Sequence, residues 1–181
     1  VYDHVPAHFP VLPHAGRLDY NTEGLLLFTD DGRLARALLD PAHDVAIEKV
    51  YRVKLRPRLD PTDPRIAALE RPLALPDGGE TRPAQACWRE DRARSSWLEL
   101  VLTEGSHRQV RHLCEREGLQ IVKLRRVRLG PLDLGDLKLR WCRPLTLHEQ
   151  QACYALALPR EAPPPLEPIA DRPGREKAPV S

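Results

Sequence analysis

Residues 47–55 alternate in character. Ile47, Val50 or Tyr51, Val53 and Leu55 are separated by Glu48, Lys49, Arg52 and Lys54. A period of two predicts a half-exposed strand here, with one irregularity near Val50. Residues 84–88 and 97–103 read as two more strands flanking a polar turn at 89–96, and 120–129 as another, followed by a short hairpin region reaching Leu139. Helices are sparser. Thr29-Asp30-Asp31-Gly32 is a turn with an aspartate N-cap, leading into a short helix with Leu34, Ala35 and Leu38 on one face. Residues 61–69 suggest a second short helix. A third, at 107–117, places Val110, Leu113 and Cys114 opposite Arg108, Arg111, His112 and Arg116, and Gly118 stops it. Thr146 with Glu149 three residues on is the capping-box pattern for a last helix. Strands outnumber helices and do not alternate regularly with them. The expectation is therefore an α+β fold with a mixed, largely antiparallel sheet, not a doubly wound one.

Charge is informative only locally. The 181 residues carry a net charge of +2, yet residues 104–128 hold seven Arg or Lys against three Glu. That segment suits a polyanion, or else forms a solvated helix face and an edge strand. Residues 159–181 contain seven of the 19 prolines and are expected to form a disordered tail, leaving one folded domain over 1–158. Cys87, Cys114, Cys142 and Cys153 include no C-x-x-C pair and lie among apolar neighbours, so buried free thiols in a reducing cytoplasm are expected. No apolar run of membrane-spanning length occurs. The chain has no methionine, even at position 1, and is expected to have lost its natural start.

Residues 16–24, Gly-Arg-Leu-Asp-Tyr-Asn-Thr-Glu-Gly, place the carboxylate of Asp19 between Arg17 and a polar turn ending in Gly24, directly before the apolar run 25–28. A carboxylate where a strand meets a loop is well placed to present a reactive oxygen at the rim of a rigid sheet. No metal cluster accompanies it. His107 and His112 are five apart and do not share a helix face, and His148-Glu149 lacks the second histidine of a zinc motif.

Three segments in order resemble the pseudouridine synthases, specifically the RsuA-like branch that modifies ribosomal RNA. The first is Gly16-Arg17-Leu18-Asp19 with Thr22-Glu23-Gly24-Leu25-Leu26-Leu27 and Thr29-Asp30-Asp31-Gly32. The second is Lys49-Val50-Tyr51-Arg52-Val53. The third is Glu104-Gly105-Ser106-His107-Arg108-Gln109-Val110-Arg111, continuing through Leu124-Arg125-Arg126-Val127-Arg128-Leu129-Gly130-Pro131-Leu132. The likeness covers roughly residues 14–150. The branch's opening strand with Lys-Pro-x-Gly is not found, nor is the small S4-type RNA-binding domain of many members, and Ser106-His107 stands where a basic residue and Asn are common.

The resemblance implies a bent mixed sheet with flanking helices and a central cleft. It implies Asp19 as the catalytic carboxylate, Tyr51 as the ring that stacks on the target base, and Arg111 as the aspartate's ion-pair partner. Arg17, Arg108, Leu124, Arg125, Arg126 and Arg128 would line the cleft or meet RNA phosphates. The implied reaction breaks the N1–C1′ bond of a uridine and joins C5 to C1′. It is redox-neutral, so no cofactor or metal is expected. An ionised carboxylate could attack C1′ or remove the C2′ proton, and both routes stay open. Ribosomal RNA is the implied partner, with the large subunit favoured, and the protein is expected to be a cytoplasmic monomer. A non-catalytic RNA-binding or ribosome-assembly module on the same fold is the alternative. A carboxylate hydrolase would need a second acid, for which Glu23 is the nearest candidate.

Overall fold

The computed structural model describes Val5 and residues 9–39, 46–76, 78–92 and 94–157. The predicted tail 159–181 lies outside the described residues. The alternating segment forms β4 (Lys49–Arg56), the middle of a six-stranded sheet. β4 pairs antiparallel with β6 (Ser95–Leu102) on one side and with β7 (Gln120–Leu129) on the other. β5 (Gln85–Arg92) closes one edge against β6. Two-residue β2 (Glu23–Gly24) runs parallel to β7, and β8 (Leu132–Asp133) pairs with β7 antiparallel. A separate two-stranded ladder joins β1 (His14–Ala15) to β3 (Leu27–Phe28). The sheet is thus mixed and mostly antiparallel, as the sequence predicts.

The register shows where the irregularity near Val50 lies. β4 matches β6 residue for residue from Lys49↔Leu102 to Leu55↔Ser96. Against β7, Val50 pairs with Arg128 but Tyr51 pairs with Arg126. The extra residue is therefore Val127, a bulge on β7 and not on β4.

Helices pack by the caps their sequences carry. In α1 (Gly32–Leu39), Asp31 Oδ1 accepts from the amides of Arg33 (2.9 Å) and Leu34 (3.1 Å), and Leu34, Ala37 and Leu38 are buried. In α2 (Pro64–Ala68), Asp63 caps the Arg65 amide and Pro64 opens the first turn. α3 (Gln109–Arg116) starts two residues later than predicted, because Arg108 holds a left-handed φ of 53° and cannot be helical. Gly118 ends α3 at φ 66°. In α4 (Leu147–Ala157) the capping box is formed in both directions: Thr146 N donates to Glu149 Oε2 at 2.8 Å, and Glu149 N donates to Thr146 Oγ1 at 3.2 Å.

Two sequence expectations are corrected. The segment 89–96 is mostly strand, not turn: β5 runs on to Arg92 and β6 begins at Ser95. Its polar residues are ladder residues with partners. Ser96, fully buried, accepts from the Leu59 amide and donates to the Leu59 carbonyl, while Arg89 pairs with Glu99 across the exposed face. The cysteines also divide. Cys114 and Cys153 are buried, Cys142 is half-buried, and Cys87, on the edge strand, is exposed. Burial pushes the Cys114 thiol up to about 12 and that of Cys153 to about 11.

Apolar side chains form two cores, not one. The larger gathers Val53, Leu55, Leu98, Leu100, Leu113 and Leu124 between the sheet and α2–α3. The smaller gathers Ala15, Leu27, Leu34, Leu38, Ile47, Leu129 and Cys153 around α1 and α4. Both cores use β7, at Leu124 and Leu129, so residues 125–128 span the gap between them. β4 enters that gap at Lys49–Tyr51.

Two outcomes test this packing. Gly24 has φ 113°, and a Cβ there would lie 2.1 Å from the Arg126 carbonyl oxygen. Gly24→Ala should destabilise the protein by at least about 3 kcal/mol in denaturant unfolding, since strain and clash act together. Alkylation at neutral pH, mapped by peptide mass, should label Cys87 first and leave Cys114 and Cys153 unmodified.

Candidate active site

Asp19 sits in a tight turn. The Thr22 amide donates to the Asp19 carbonyl at 2.9 Å, and Asn21 supplies a φ of 62° at the third position. Asparagine tolerates that conformation, which suits this turn type. Tyr20, at the second position, projects into solvent with 88% of its surface exposed. Asp19 itself is half-buried, and among the described residues its carboxylate makes no ion pair.

Arg111 reaches the turn from α3. Its Nη2 donates to the carbonyls of Tyr20 (3.2 Å) and Asn21 (3.0 Å) and to Thr22 Oγ1 (3.3 Å). The expected contact with the Asp19 carboxylate is therefore not the one observed. The guanidinium grips the backbone on either side of the turn's apex and so fixes where Asp19 stands. A single planar cation meeting three oxygens is a preorganised clamp, which a lysine's point charge would reproduce poorly.

The other end of the segment is fixed by β7. The Leu25 amide donates to the Arg126 carbonyl at 2.9 Å, and Arg126 Nε donates back to the Leu25 carbonyl at 2.8 Å. Arg126 is only 3% exposed. It lies directly across from Tyr51 in the β4–β7 ladder, so the two share a face of the sheet. Tyr51 is partly buried against the larger core. Arg126 thus links the Asp19 segment to Tyr51.

The remaining predicted residues fall in different places. Arg17 is exposed, two residues before Asp19. Leu124, 2% exposed, belongs to the core and lines no open surface. Arg126 is likewise too buried to meet an RNA phosphate. Arg108, at the start of α3, lies 4.0 Å from Glu115. Arg125 pairs with Glu23 at 2.9 Å, Lys123 reaches the same carboxylate at 3.2 Å, and Arg128 pairs with Asp133 at 3.0 Å. Burial acts to raise the Glu23 carboxyl, but the hydrogen bonds from Arg125 and Lys123 outweigh it and hold the group below its usual range. Glu23 is thus an ion-pair partner within the sheet, not a second acid facing Asp19.

An open groove of about 760 Å³ lies on the opposite face of the sheet. Its lining includes Arg52, Trp97, Glu99, Lys123, Arg125 and Arg128, but neither Asp19, Tyr51 nor Arg111.

Sequence reasoning passed over two residues. Lys49 is 6% exposed, and alternation along β4 puts it on the same face as Tyr51. Glu104 accepts from Gln109 Nε2 (2.8 Å) and from the Arg82 amide (2.9 Å), tying the loop before α3 to the strand region. Lys49 stands in the quoted Lys-Val-Tyr segment, so its place beside the tyrosine was visible. Its burial was not, because a lysine in an alternating strand reads as the exposed face.

This arrangement of sheet, clamped aspartate turn and strand tyrosine has known counterparts. The model of the RNA pseudouridylate synthase family matches residues 7–116, more than half of the chain, and the chain belongs to that family. Its relatives place it in the RsuA-like branch. It is 38% identical over 144 residues to ribosomal large subunit pseudouridine synthase B of Bacillus subtilis (strain 168), covering 78% of this chain and 57% of that protein. It is 40% identical over 144 residues to ribosomal large subunit pseudouridine synthase E of Xanthomonas campestris pv. campestris, covering 71% of this chain and 74% of that one. A crystal structure of a pseudouridylate synthase superposes with a TM-score of 0.66 at 31% identity, over 78% of this chain and 59% of the other. The chain therefore spans little more than half the length of some of the proteins it matches.

The clamp has a measurable consequence. Arg111→Ala removes charge-assisted hydrogen bonds, each worth about 1.5–3 kcal/mol. Hydrogen exchange at the Thr22 amide should speed up by about tenfold or more, while amides in the middle of β4 and β6 stay protected.

Proposed function

We propose that the protein isomerises a uridine in ribosomal RNA to pseudouridine, with Asp19 as its catalytic carboxylate. The observation that carries this reading is the double clamp on the Asp19 segment, by Arg111 from α3 and by Arg126 from β7, beside Tyr51 in a chain of this family. Rigid placement of one carboxylate is what such a reaction needs. The chemistry is an isomerisation, so one group can serve both in breaking and in remaking the bond to C1′.

The target uridine cannot react while stacked in RNA and has to swing out into the site. Tyr51 offers a ring on which the freed base stacks, an interaction worth about 1–3 kcal/mol. Asp19 then acts on the sugar, either at C1′ as a nucleophile or at the C2′ proton as a base. Arg111 keeps the carboxylate's loop in position throughout, so its effect falls on the rate of the bound complex more than on RNA affinity. Arg17 and Arg108, exposed or partly exposed near the turn and the start of α3, serve the RNA backbone. Arg125 and Arg128 can join only by exchanging their acidic partners for phosphate. The names of the relatives favour large-subunit RNA as the substrate, the cytoplasm as the compartment follows from that substrate, and a monomer suffices for the site as built.

Asp19→Asn keeps the shape of the side chain and removes its nucleophilic charge. Pseudouridine mapping of ribosomal RNA transcripts should find product with the parent protein and none with the variant. Equal product from both would reject Asp19 as the catalytic group. RNA binding without product from the parent would identify a non-catalytic module instead.

A further inference from the structure

The gap between the two cores holds two buried cations without a counter-charge. Lys49 is 6% exposed and Arg126 3% exposed. They flank Tyr51 on one face of the sheet. Lys49 lies two residues before it on β4, about 7 Å along the strand, and Arg126 is its cross-strand partner on β7. Among the described residues, no carboxylate lies within ion-pair distance of either. Glu104 approaches Lys49 but already accepts from Gln109 and Arg82. The Arg126 guanidinium spends Nε on the Leu25 carbonyl, and its Nη2 is buried with no hydrogen-bond partner. The Glu104-Gly105 loop passes over the lysine head, and a Cβ on Gly105 would sit 3.9 Å from Lys49 Nζ. Burial lowers the Lys49 ammonium below its ordinary range, the Arg126 charge adds to this, and Glu104 opposes it.

Two like charges buried together are costly, and apolar replacements of similar volume often stabilise such sites. A charge kept at that cost is explained by an anion that is present only part of the time. The position beside Tyr51 says which anion. A phosphate is strongly hydrated and belongs on the RNA backbone, outside this gap. The species that reaches the tyrosine ring is the base. When the N1–C1′ bond breaks, the bonding electrons leave with N1 and the uracil becomes an anion delocalised over the ring nitrogens and carbonyl oxygens. A planar, delocalised anion is far cheaper to bury than a phosphate.

We propose that Lys49, supported by Arg126, is a catalytic residue that binds the uracil anion released from C1′ and holds it while the ring turns. This rests on the pseudouridine synthase reading above. The balance closes without another reagent: C5 then bonds to C1′, the C5 proton is lost, and N1 takes up a proton. The site's charge is matched to a state that exists only after bond breaking, so it favours the reaction more than substrate binding.

The test uses the whole protein and a ribosomal RNA transcript that it modifies, with the target either uridine or 5-fluorouridine, whose base is the more acidic leaving group. Target consumption is followed in single turnovers by nucleoside chromatography, beside RNA affinity and thermal melting. Lys49→Met should melt higher than the parent, bind RNA equally well and consume uridine about 10²–10³ times more slowly, the loss typical of one preorganised donor. With 5-fluorouridine the deficit should shrink by about tenfold or more, because a better leaving group needs less help. Lys49→Gln, polar but uncharged, should repeat the pattern, and Lys49→Arg should recover part of the rate. Equal deficits on the two RNAs, an unchanged rate, or a loss that follows RNA affinity would overturn the role of Lys49 while leaving pseudouridine formation intact. A parent protein that forms no pseudouridine on any ribosomal RNA would overturn the reading and this inference together.

Discussion

The shortest strand pairing in the molecule governs its site. β2 is two residues long, yet it is where the Asp19 segment joins the main sheet. Three features make so short a contact hold. Gly24 lets the backbone approach β7 more closely than any side chain would permit. The Leu25 and Arg126 backbones exchange a hydrogen bond, and the Arg126 side chain returns a second one to the same residue. Glu23 then adds ion pairs to Lys123 and Arg125 on the other face. Without this junction Asp19 would ride on a loop attached only through β1, β3 and the smaller core.

The two-core architecture follows from the same strand. β7 contributes Leu124 to one cluster and Leu129 to the other, and its bulge at Val127 falls between them. A bulge bends its strand and raises the local twist. The face of the sheet therefore opens where β4 presents Lys49 and Tyr51. Polar and charged groups collect there because neither core can cover that stretch. A gap between two packed units that each hold their own shape is a rigid place to put chemistry, since the groups on either side are fixed by burial and not by one another.

Much of this was legible in the sequence, and what was missed shares one cause. The caps at Asp31 and at Thr146–Glu149, the strand irregularity near Val50 and the aspartate turn all follow from short-range rules and appear in the structure as read. The partnership of Asp19 and Arg111 was identified, but its form was not: the arginine holds backbone carbonyls and not the carboxylate. The strands over 89–96 were missed because Ser95 and Ser96 resemble turn residues until Leu59 is seen to supply their hydrogen bonds. Side-chain direction along β7 was beyond reach, because one inserted residue reverses the alternation for everything after it. Nothing in the run Lys123-Leu124-Arg125-Arg126-Val127-Arg128 marks Val127 as that residue.

That reversal changes the meaning of the basic segment. Read as a string, residues 104–128 are one positive patch. In the fold, alternation sends Arg126 into the gap beside Tyr51 and Arg125 to the far face, where Glu23 meets it. Arg116 leaves the patch altogether: its guanidinium binds the carbonyls of Ala68, Arg71 and Pro72 and so fastens α3 to the end of α2. Arg111 serves the aspartate turn. Four arginines from one charged run thus do four different jobs, of which only Arg125 faces open solvent with an exchangeable partner. The excess of positive charge in the segment is spent mainly on building the site and only secondarily on attracting a polyanion. RNA affinity should accordingly depend less on salt than a count of the segment's cations implies, because a cation that already holds a carbonyl or a carboxylate releases no counterion from a phosphate.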